Sequence, residues 1–308
     1  MSTILFSHSA CLAHETGGYH PESPERLRAV LAALEAEDFM FLDRREAPRA
    51  SRSQLALAHP PAYVDAILAA IPEDGLRQID ADTVVSPGSG EAALRAAGAV
   101  VAAVDAVARR EARNAFCAVR PPGHHAEPAQ AMGFCLFNNI AVGALHARKA
   151  HGWRRAAIVD FDVHHGNGSE TLAKADENLF YASTHQAPLY PGTGLDNDPK
   201  HPNVVNACLP PGAGSAEFRR AMEREILPAI QAFGPDLILI SAGFDAHRRD
   251  PLAEMNLVED DYYWVTAALQ RLADERCHGR LVSALEGGYD LEALGKSAAA
   301  HVRALMMA

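Results

Sequence analysis

Leu237-Ile238-Leu239-Ile240 is a run of aliphatic residues without polar alternation, and comparable runs recur along the chain. A strand with one wet face alternates apolar and polar side chains, so these runs need cover on both faces. That requirement predicts a mainly parallel sheet held between helices. Strand runs are read at residues 3–6, 115–119, 156–160, 179–183, 204–207, 237–241 and 281–285. Between them, apolar residues recur at three- and four-residue spacing, which predicts helices over 61–70, 91–110, 138–150, 215–233, 260–275 and 291–306. Ser23-Pro24-Glu25 opens an earlier helix with an N-cap and a proline at the first helical position. Leu27, Val30, Leu31 and Leu34 follow on one of its faces. The fold class is α/β.

The length of 308 residues would admit two domains, but no repeat and no Pro- or Gly-rich linker divides the chain, so residues 1–308 are expected to form a single domain. The 28 basic and 39 acidic side chains leave a formal charge of −11. That balance argues against a nucleic-acid partner, which calls for a basic stripe, and it suits attraction of cationic small molecules. Cys11, Cys117, Cys135, Cys208 and Cys277 are scattered without a CxxC pair, which argues against a disulfide framework and against a thiolate zinc site. The opening Met-Ser-Thr-Ile-Leu-Phe lacks the pattern of a signal peptide. The Ala/Val-rich stretch 96–108, interrupted by Asp105, is too short and too polar to span a membrane. A cytoplasmic protein without a membrane partner is expected. No long insertion is visible that would build a large dimerisation loop, which favours a monomer or a small dimer.

Function in an open α/β sheet gathers outside the carboxyl ends of the strands, and polar clusters follow four of the predicted strands. Residues 120–125 read Arg-Pro-Pro-Gly-His-His, and residues 161–168 read Phe-Asp-Val-His-His-Gly-Asn-Gly. Residues 242–247 read Ala-Gly-Phe-Asp-Ala-His, and residues 286–290 read Glu-Gly-Gly-Tyr-Asp. Asp160, Asp162 and His164 are two apart, so an extended strand end turns them to one side. A carboxylate and an imidazole aimed at one point suit a borderline divalent ion such as zinc, and Asp245 is the natural third ligand. The tandem His124-His125 offers imidazoles that take and return a proton beside a metal-activated water. Asp160 and Asn167 are polar groups placed to orient them. The phenol of Tyr289 is a hydrogen-bond donor for a developing oxyanion.

Together these clusters resemble the histone deacetylase superfamily, which includes acetylpolyamine amidohydrolases and acetoin-utilisation proteins. The matching segments are HPESPERL (20–27), RPPGHHA (120–126), GFCLFNN (133–139), DFDVHHGNG (160–168), YPGTG (190–194), GFDAH (243–247) and EGGYD (286–290), in family order. The resemblance implies the arginase/deacetylase fold, a three-layer α/β/α sandwich around a mainly parallel eight-stranded sheet. It implies one zinc ion per chain, bound by Asp162, His164 and Asp245. His125 would be general base and then acid, with electrostatic help from His124. Asp160 would orient His124, and Asn167 would orient His125. Many members carry Asp where Asn167 stands; the uncharged partner supports an imidazolium less strongly and resembles the class II branch. Tyr289 would donate to the tetrahedral intermediate. Phe134 and Tyr190, with Gly133 beside them, resemble the walls of a narrow substrate tunnel, and Arg26 resembles the arginine near an internal acetate channel. A potassium ion is implied beside the zinc, held by Asp160, Asp162, His164 and Ser183.

The implied reaction removes an acetyl or other acyl group from an acyl-lysine-like amine by metal-activated water. The partner is thus an acylated amine, either an acyl-lysine peptide or protein or an acetylpolyamine. The residue that anchors the substrate amide is expected within 86–90, at Gly88 or its neighbours. Leu252, after Asp250-Pro251, stands where polyamine-selective relatives carry an acidic gatekeeper, and it predicts an apolar lip. Acetylpolyamine deacetylation is the alternative. An arginase-like binuclear manganese hydrolase would need carboxylates where Asn167 and His247 stand, and a catalytically silent acyl-binding protein would have lost a zinc ligand, His125 or Tyr289. His165 and His185 are read as packing near the metal loops. His8, His14, His59, His146, His151, His201, His278 and His301 are read as solvated or capping.

Overall fold

The computed structural model describes residues 2–307. Its strands are, in chain order, β1 Thr3–Ser7, β2 Asp43–Glu46, β3 Arg77–Gln78, β4 Val84–Val85, β5 Asn114–Cys117, β6 Ala156–Asp160, β7 Leu179–Gln186, β8 Val204–Leu209, β9 Leu237–Ala242 and β10 Leu281–Leu285. Eight of them form one sheet in the order β2-β1-β5-β10-β9-β6-β7-β8. Every neighbouring pair in it is parallel. β3 and β4 pair as a short antiparallel ladder. The α-helices are α1 Pro24–Ala33, α2 Arg52–Leu55, α3 Pro61–Ala69, α4 Ser89–Ala108, α5 Asn139–His151, α6 Asn167–Lys174, α7 Ser215–Ala221, α8 Leu227–Phe233, α9 Glu259–Cys277 and α10 Leu291–Met306. α4, α5 and α6 pack on one face of the sheet, and α1, α9, α10 and the α7–α8 segment pack on the other.

Helices on both faces leave the central strands without solvent contact, and Leu237 through Ile240 have no exposed surface. α4 is apolar on nearly every side for a related reason. One side meets the sheet, while Ala93, Ala97 and Val101 pack under Leu55, Tyr63, Val64 and Ile67 of α2 and α3. No helix among the described residues is long and apolar enough to cross a membrane.

Beyond the short α2, β3 and β4, which were not expected, three elements depart from the sequence expectations. The eighth strand is β2, Asp-Arg-Arg-Glu, which has no apolar run to betray it. It lies at the sheet edge, where charged side chains discourage pairing with another chain. The helix expected over 215–233 contains a π turn, Met222–Ile226, between α7 and α8. Pro228 follows, and its ring cannot sit against the carbonyl four residues earlier in a regular helix, so one wider turn relieves the clash. The third is α6, which starts at Asn167 inside a segment read as loop.

The four strands followed by polar clusters, β5, β10, β9 and β6, are neighbours at the centre of the sheet. Their carboxyl ends therefore open onto a common place.

Candidate active site

The floor of the site comes from the segments that follow β6 and β9. Asp162, His164 and Asp245 bring one ligand atom each to within 4.8 Å of one another, and all three residues are buried. His164 Nδ1 lies 3.1 Å from Asp162 Oδ1 and 3.1 Å from Asp245 Oδ2. The remaining carboxylate oxygens are held by backbone donors, since the Gly287 N–H donates to Asp162 Oδ2 (2.8 Å) and the Val163 N–H to Asp245 Oδ1 (2.8 Å). Each carboxylate is thus fixed from behind, with its other oxygen turned toward His164, and Asp162 Oδ1 also accepts the His164 N–H (2.9 Å). Gly287 has no alternative there, because a Cβ would stand 2.0 Å from Asp245 Oδ2. Burial works against charge on His164, yet its hydrogen bonds to the two carboxylates outweigh that and raise it to about 10. Two buried carboxylates and one imidazole without a thiolate demand positive charge, and they suit a borderline divalent metal with a position left open.

His124 and His125 stand above this floor at the end of β5, their ring centroids 4.0 Å apart. His124 Nδ1–H donates to Asp160 Oδ2 (2.9 Å), and Asp160 Oδ1 accepts the Asp162 N–H (3.1 Å). His125 Nδ1–H donates to Asn167 Oδ1 (2.8 Å). The Asn167 amide nitrogen donates to Glu127 Oε1 (2.7 Å), which fixes which end of the amide faces His125 and leaves His125 Nε2 as the free acceptor. Burial opposes charge on both rings. For His124, Asp160, Asp162 and Glu286 outweigh burial and hold it well above the ordinary imidazole range. For His125, the neighbouring His124 and His164 add to burial and depress it well below. The two rings are thus pushed in opposite directions, His124 toward the charged form and His125 toward the neutral one.

Glu286 is a residue whose part the sequence reading missed, although it stands in one of the quoted motifs. Its Oε2 accepts the backbone N–H groups of Gly123 (2.6 Å) and His124 (3.2 Å), and its Oε1 accepts the Ser241 hydroxyl (3.1 Å). It ties β10 and β9 to the turn carrying both histidines. Burial raises Glu286 to about 7. Nothing in single-sequence spacing distinguishes such a buried brace from an N-terminal helix cap.

A cavity of about 250 Å³ leads to the floor, and its wall includes Gly133, Phe134, Leu189, Tyr190, Leu252 and Tyr289. Phe134 takes a left-handed backbone (φ 67°), unusual for a bulky residue. It is held there by the Thr83 hydroxyl, which accepts its N–H (3.2 Å), while Asp82 Oδ1 accepts the Gly133 N–H (3.0 Å). Gly133 (φ 57°) could carry no side chain, because a Cβ would lie 2.4 Å from the His125 ring. Tyr190 packs edge-on to His125 at 5.1 Å, and Tyr289 to Phe134 at 6.0 Å. Burial, then the nearby carboxylates, keeps the Tyr289 phenol protonated and able to donate, despite the opposing Arg26 charge.

Several expectations about the rim are corrected. Residues 86–90 do not line the cavity. Ser86 Oγ accepts the Glu15 N–H (2.9 Å), Ser89 Oγ pairs with His14 Nδ1 (2.6 Å), and a Cβ on Gly88 would collide with Ala13. The polar residue at the mouth is Asp82, just before β4. Arg26, expected near an internal channel, lies off the cavity wall. It is buried behind Tyr289, its guanidinium 4.8 Å from the ring centroid, donating to Gly288 O (2.7 Å) and paired with Glu22. Ser183 is the register neighbour of Asp160 on β7, and its hydroxyl pairs with His185 Nδ1 (2.9 Å). His165 lies outside the metal cluster, between Glu170 Oε2 (2.5 Å) and Thr193 Oγ1 (2.8 Å). His14, His59 and His301 are buried, not solvated. At the two positions where a binuclear centre would need carboxylates, Asn167 is hydrogen-bonded to His125 and His247 lies 3.6 Å from Glu259.

The chain is similar to known proteins along nearly its whole length. The histone deacetylase domain model matches residues 20–305. Histone deacetylase 14, chloroplastic, of Arabidopsis thaliana is 39% identical over 98% of this chain and 76% of its own length. A histone deacetylase-like amidohydrolase of Pseudomonas aeruginosa is 37% identical over 93% of this chain and 81% of its own. The crystal structure of the HDA15 HD domain superposes with a TM-score of 0.92 at 34% identity, covering 99% of this chain and 88% of that one.

Proposed function

Because this chain belongs to the histone deacetylase family, we propose that it is a zinc-dependent amidohydrolase that removes acetyl or another acyl group from acyl-lysine-like amines. The observation that carries the reading is the convergence of Asp162, His164 and Asp245 at the foot of an aromatic-walled cavity, opposite His125 and Tyr289. Asp162, His164 and Asp245 would hold the zinc, which supplies Lewis acidity to the amide carbonyl and makes water more acidic. His125 Nε2 accepts a proton from water as its oxygen attacks the carbonyl carbon. Asn167 keeps that nitrogen unprotonated beforehand by accepting from Nδ1–H. The Tyr289 hydroxyl donates to the oxygen that gains charge. The C–N bond then breaks as the protonated imidazole returns its proton to the amine nitrogen, and a carboxylic acid and a primary amine leave, the acid giving up its remaining proton to solvent. His124, charged beside Asp160, offsets the negative charge gathered around the reacting carbon. A potassium ion at Asp160 and Ser183, which are register neighbours on β6 and β7, belongs to the same reading.

Phe134 and Tyr190 suit a slender methylene chain between them, and Asp82 at the mouth is the group that would accept a substrate backbone N–H. Leu252, 36% exposed at the same mouth, gives a distant ammonium no counter-charge, which favours acyl-lysine over acetylpolyamine. Side-by-side turnover of acetyl-lysine peptide, longer acyl-lysines, N-acetylputrescine and N8-acetylspermidine tests this. Acetyl-lysine hydrolysis that stops on chelation and returns with zinc is expected. A polyamine preference above about tenfold, or about 1.4 kcal/mol in the barrier, would transfer the reading to polyamines, and inertness toward all four would end it.

A further inference from the structure

α4 and α5 carry a second convergent cluster far from the cavity. The Nε2–H groups of His146 and His151 both donate to Asp105 Oδ1, at 2.8 and 2.7 Å, and the three ligand atoms lie within 4.8 Å of one another. α4 ends shortly before β5 begins, and α5 ends shortly before β6 begins, so this cluster sits at the amino edge of the sheet, opposite the cavity. We propose that Asp105, His146 and His151 form a second metal site, for a borderline divalent ion such as zinc.

The organisation repeats that of the floor of the cavity. In both places one central atom is approached by two others of complementary type: His164 Nδ1 between two carboxylates, and Asp105 Oδ1 between two imidazoles. Among the described residues these are the two clusters of this kind. Asp105 has no Lys or Arg partner among the described residues; its hydrogen-bond partners are the two rings. Two neutral imidazoles and a carboxylate are a good donor set for zinc and its neighbours in the transition series. The side chains are 12% (His146), 23% (His151) and 28% (Asp105) exposed, so the cluster is braced on one side and open to water ligands on the other. The Trp153 ring, 5.4 Å from that of His151, limits where His151 can turn. A bound ion would replace the two Nε2 hydrogens and fasten the last turn of α5 to α4. The sequence hides the site, because residues five apart on a helix do not share a face. His151 reaches Asp105 as the last residue before Gly152, which turns left-handed (φ 67°).

Metal counting tests the site independently of the catalytic reading. The full chain is stripped with a chelator, loaded at low micromolar free zinc, desalted and assayed for zinc per chain. Two ions are expected in the wild type, and one in each of His146→Gln, His151→Gln and Asp245→Asn. Turnover in the two histidine variants should match the wild type. Zinc beyond the first equivalent should raise the Tm of the wild type and leave that of His151→Gln unmoved. A wild-type count of one that falls to zero in Asp245→Asn overturns the rear site and leaves the catalytic one standing. A count of two that persists in both histidine variants also overturns it. A count of one that survives Asp245→Asn and vanishes in His151→Gln supports the rear site and breaks the catalytic assignment instead.

Discussion

His124 and His301 are both hidden from solvent, and their surroundings push them in opposite directions. His301, in α10, is flanked by the neutral hydroxyls of Thr266 (2.7 Å) and Ser283 (2.9 Å), with Phe116, Phe161 and Phe244 around its ring. Burial there goes unopposed and lowers it to about 3. His124 suffers the same burial, but Asp160, Asp162 and Glu286 reverse the outcome. The charge of the partner, not the depth, decides whether a buried imidazole is a cation. The scaffold uses histidine as a neutral hydrogen-bonding plug. The carboxyl edge gathers buried carboxylates and so accepts protons or a metal.

The comparison is broken most directly at His125, the site ring that lacks a charged partner. His125→Ala should lower kcat/KM on acetyl-lysine peptide by about 10³-fold while zinc per chain holds steady; His301→Gln should leave kcat/KM within about twofold. Comparable losses in both variants would mean that the site histidines serve packing, as His301 does. Tyr289→Phe comes next, with a loss of about 10²- to 10³-fold in kcat. Unimpaired turnover there would remove the phenol from oxyanion stabilisation.

What the sequence made legible follows the same division. The aliphatic runs gave the parallel sheet because doubly buried strands have no other composition open to them. The residues of the cavity floor were legible because distinctive segments such as residues 160–168 carry them; the extended strand end expected there stops at Asp160, and Asp162 and His164 lie in the bend beyond it. β2 was not, since a charged edge strand is defined by its neighbour β1 and not by its own residues. Asp82 escaped notice because it comes from an irregular stretch with no motif, and tertiary packing alone brings it to the mouth. His59 and His301 looked idle for a related reason. Their partners, Pro128 O and the Asn138 N–H for His59, Thr266 and Ser283 for His301, lie tens of residues away.

The scaffold histidines make a prediction about acid. Unfolded, His301 takes up a proton below about pH 6.5; folded, it stays neutral down to about pH 3. Its contribution is complete above pH 6.5 and is lost as pH falls through that window, at up to about 1.4 kcal/mol per pH unit. His59, lowered to about 4 by burial, adds in the same direction. Urea unfolding between pH 6.5 and 4 should therefore show stability rising with pH, and His301→Gln should flatten the slope. An unchanged slope in that variant would place the acid sensitivity elsewhere, in the carboxylates of the cavity floor.

The smallest effect is the sharpest test of the partner rule, because it changes one atom. Asn167→Asp keeps an oxygen 2.8 Å from His125 Nδ1 and adds a negative charge. A carboxylate there favours the imidazolium, so His125 should hold its proton to higher pH, and the acid limb of kcat/KM should move up by about 1 pH unit. Below the limb the variant would be about tenfold slower; above it the two enzymes should agree. Glu127, whose carboxylate accepts from the Asn167 amide, would then face a like charge across 2.7 Å and would hold back part of the shift. The double variant Asn167→Asp with Glu127→Gln removes that repulsion and should move the limb further than Asn167→Asp alone. A limb that stays put in both, with turnover intact, would show that the proton is taken by a group other than His125.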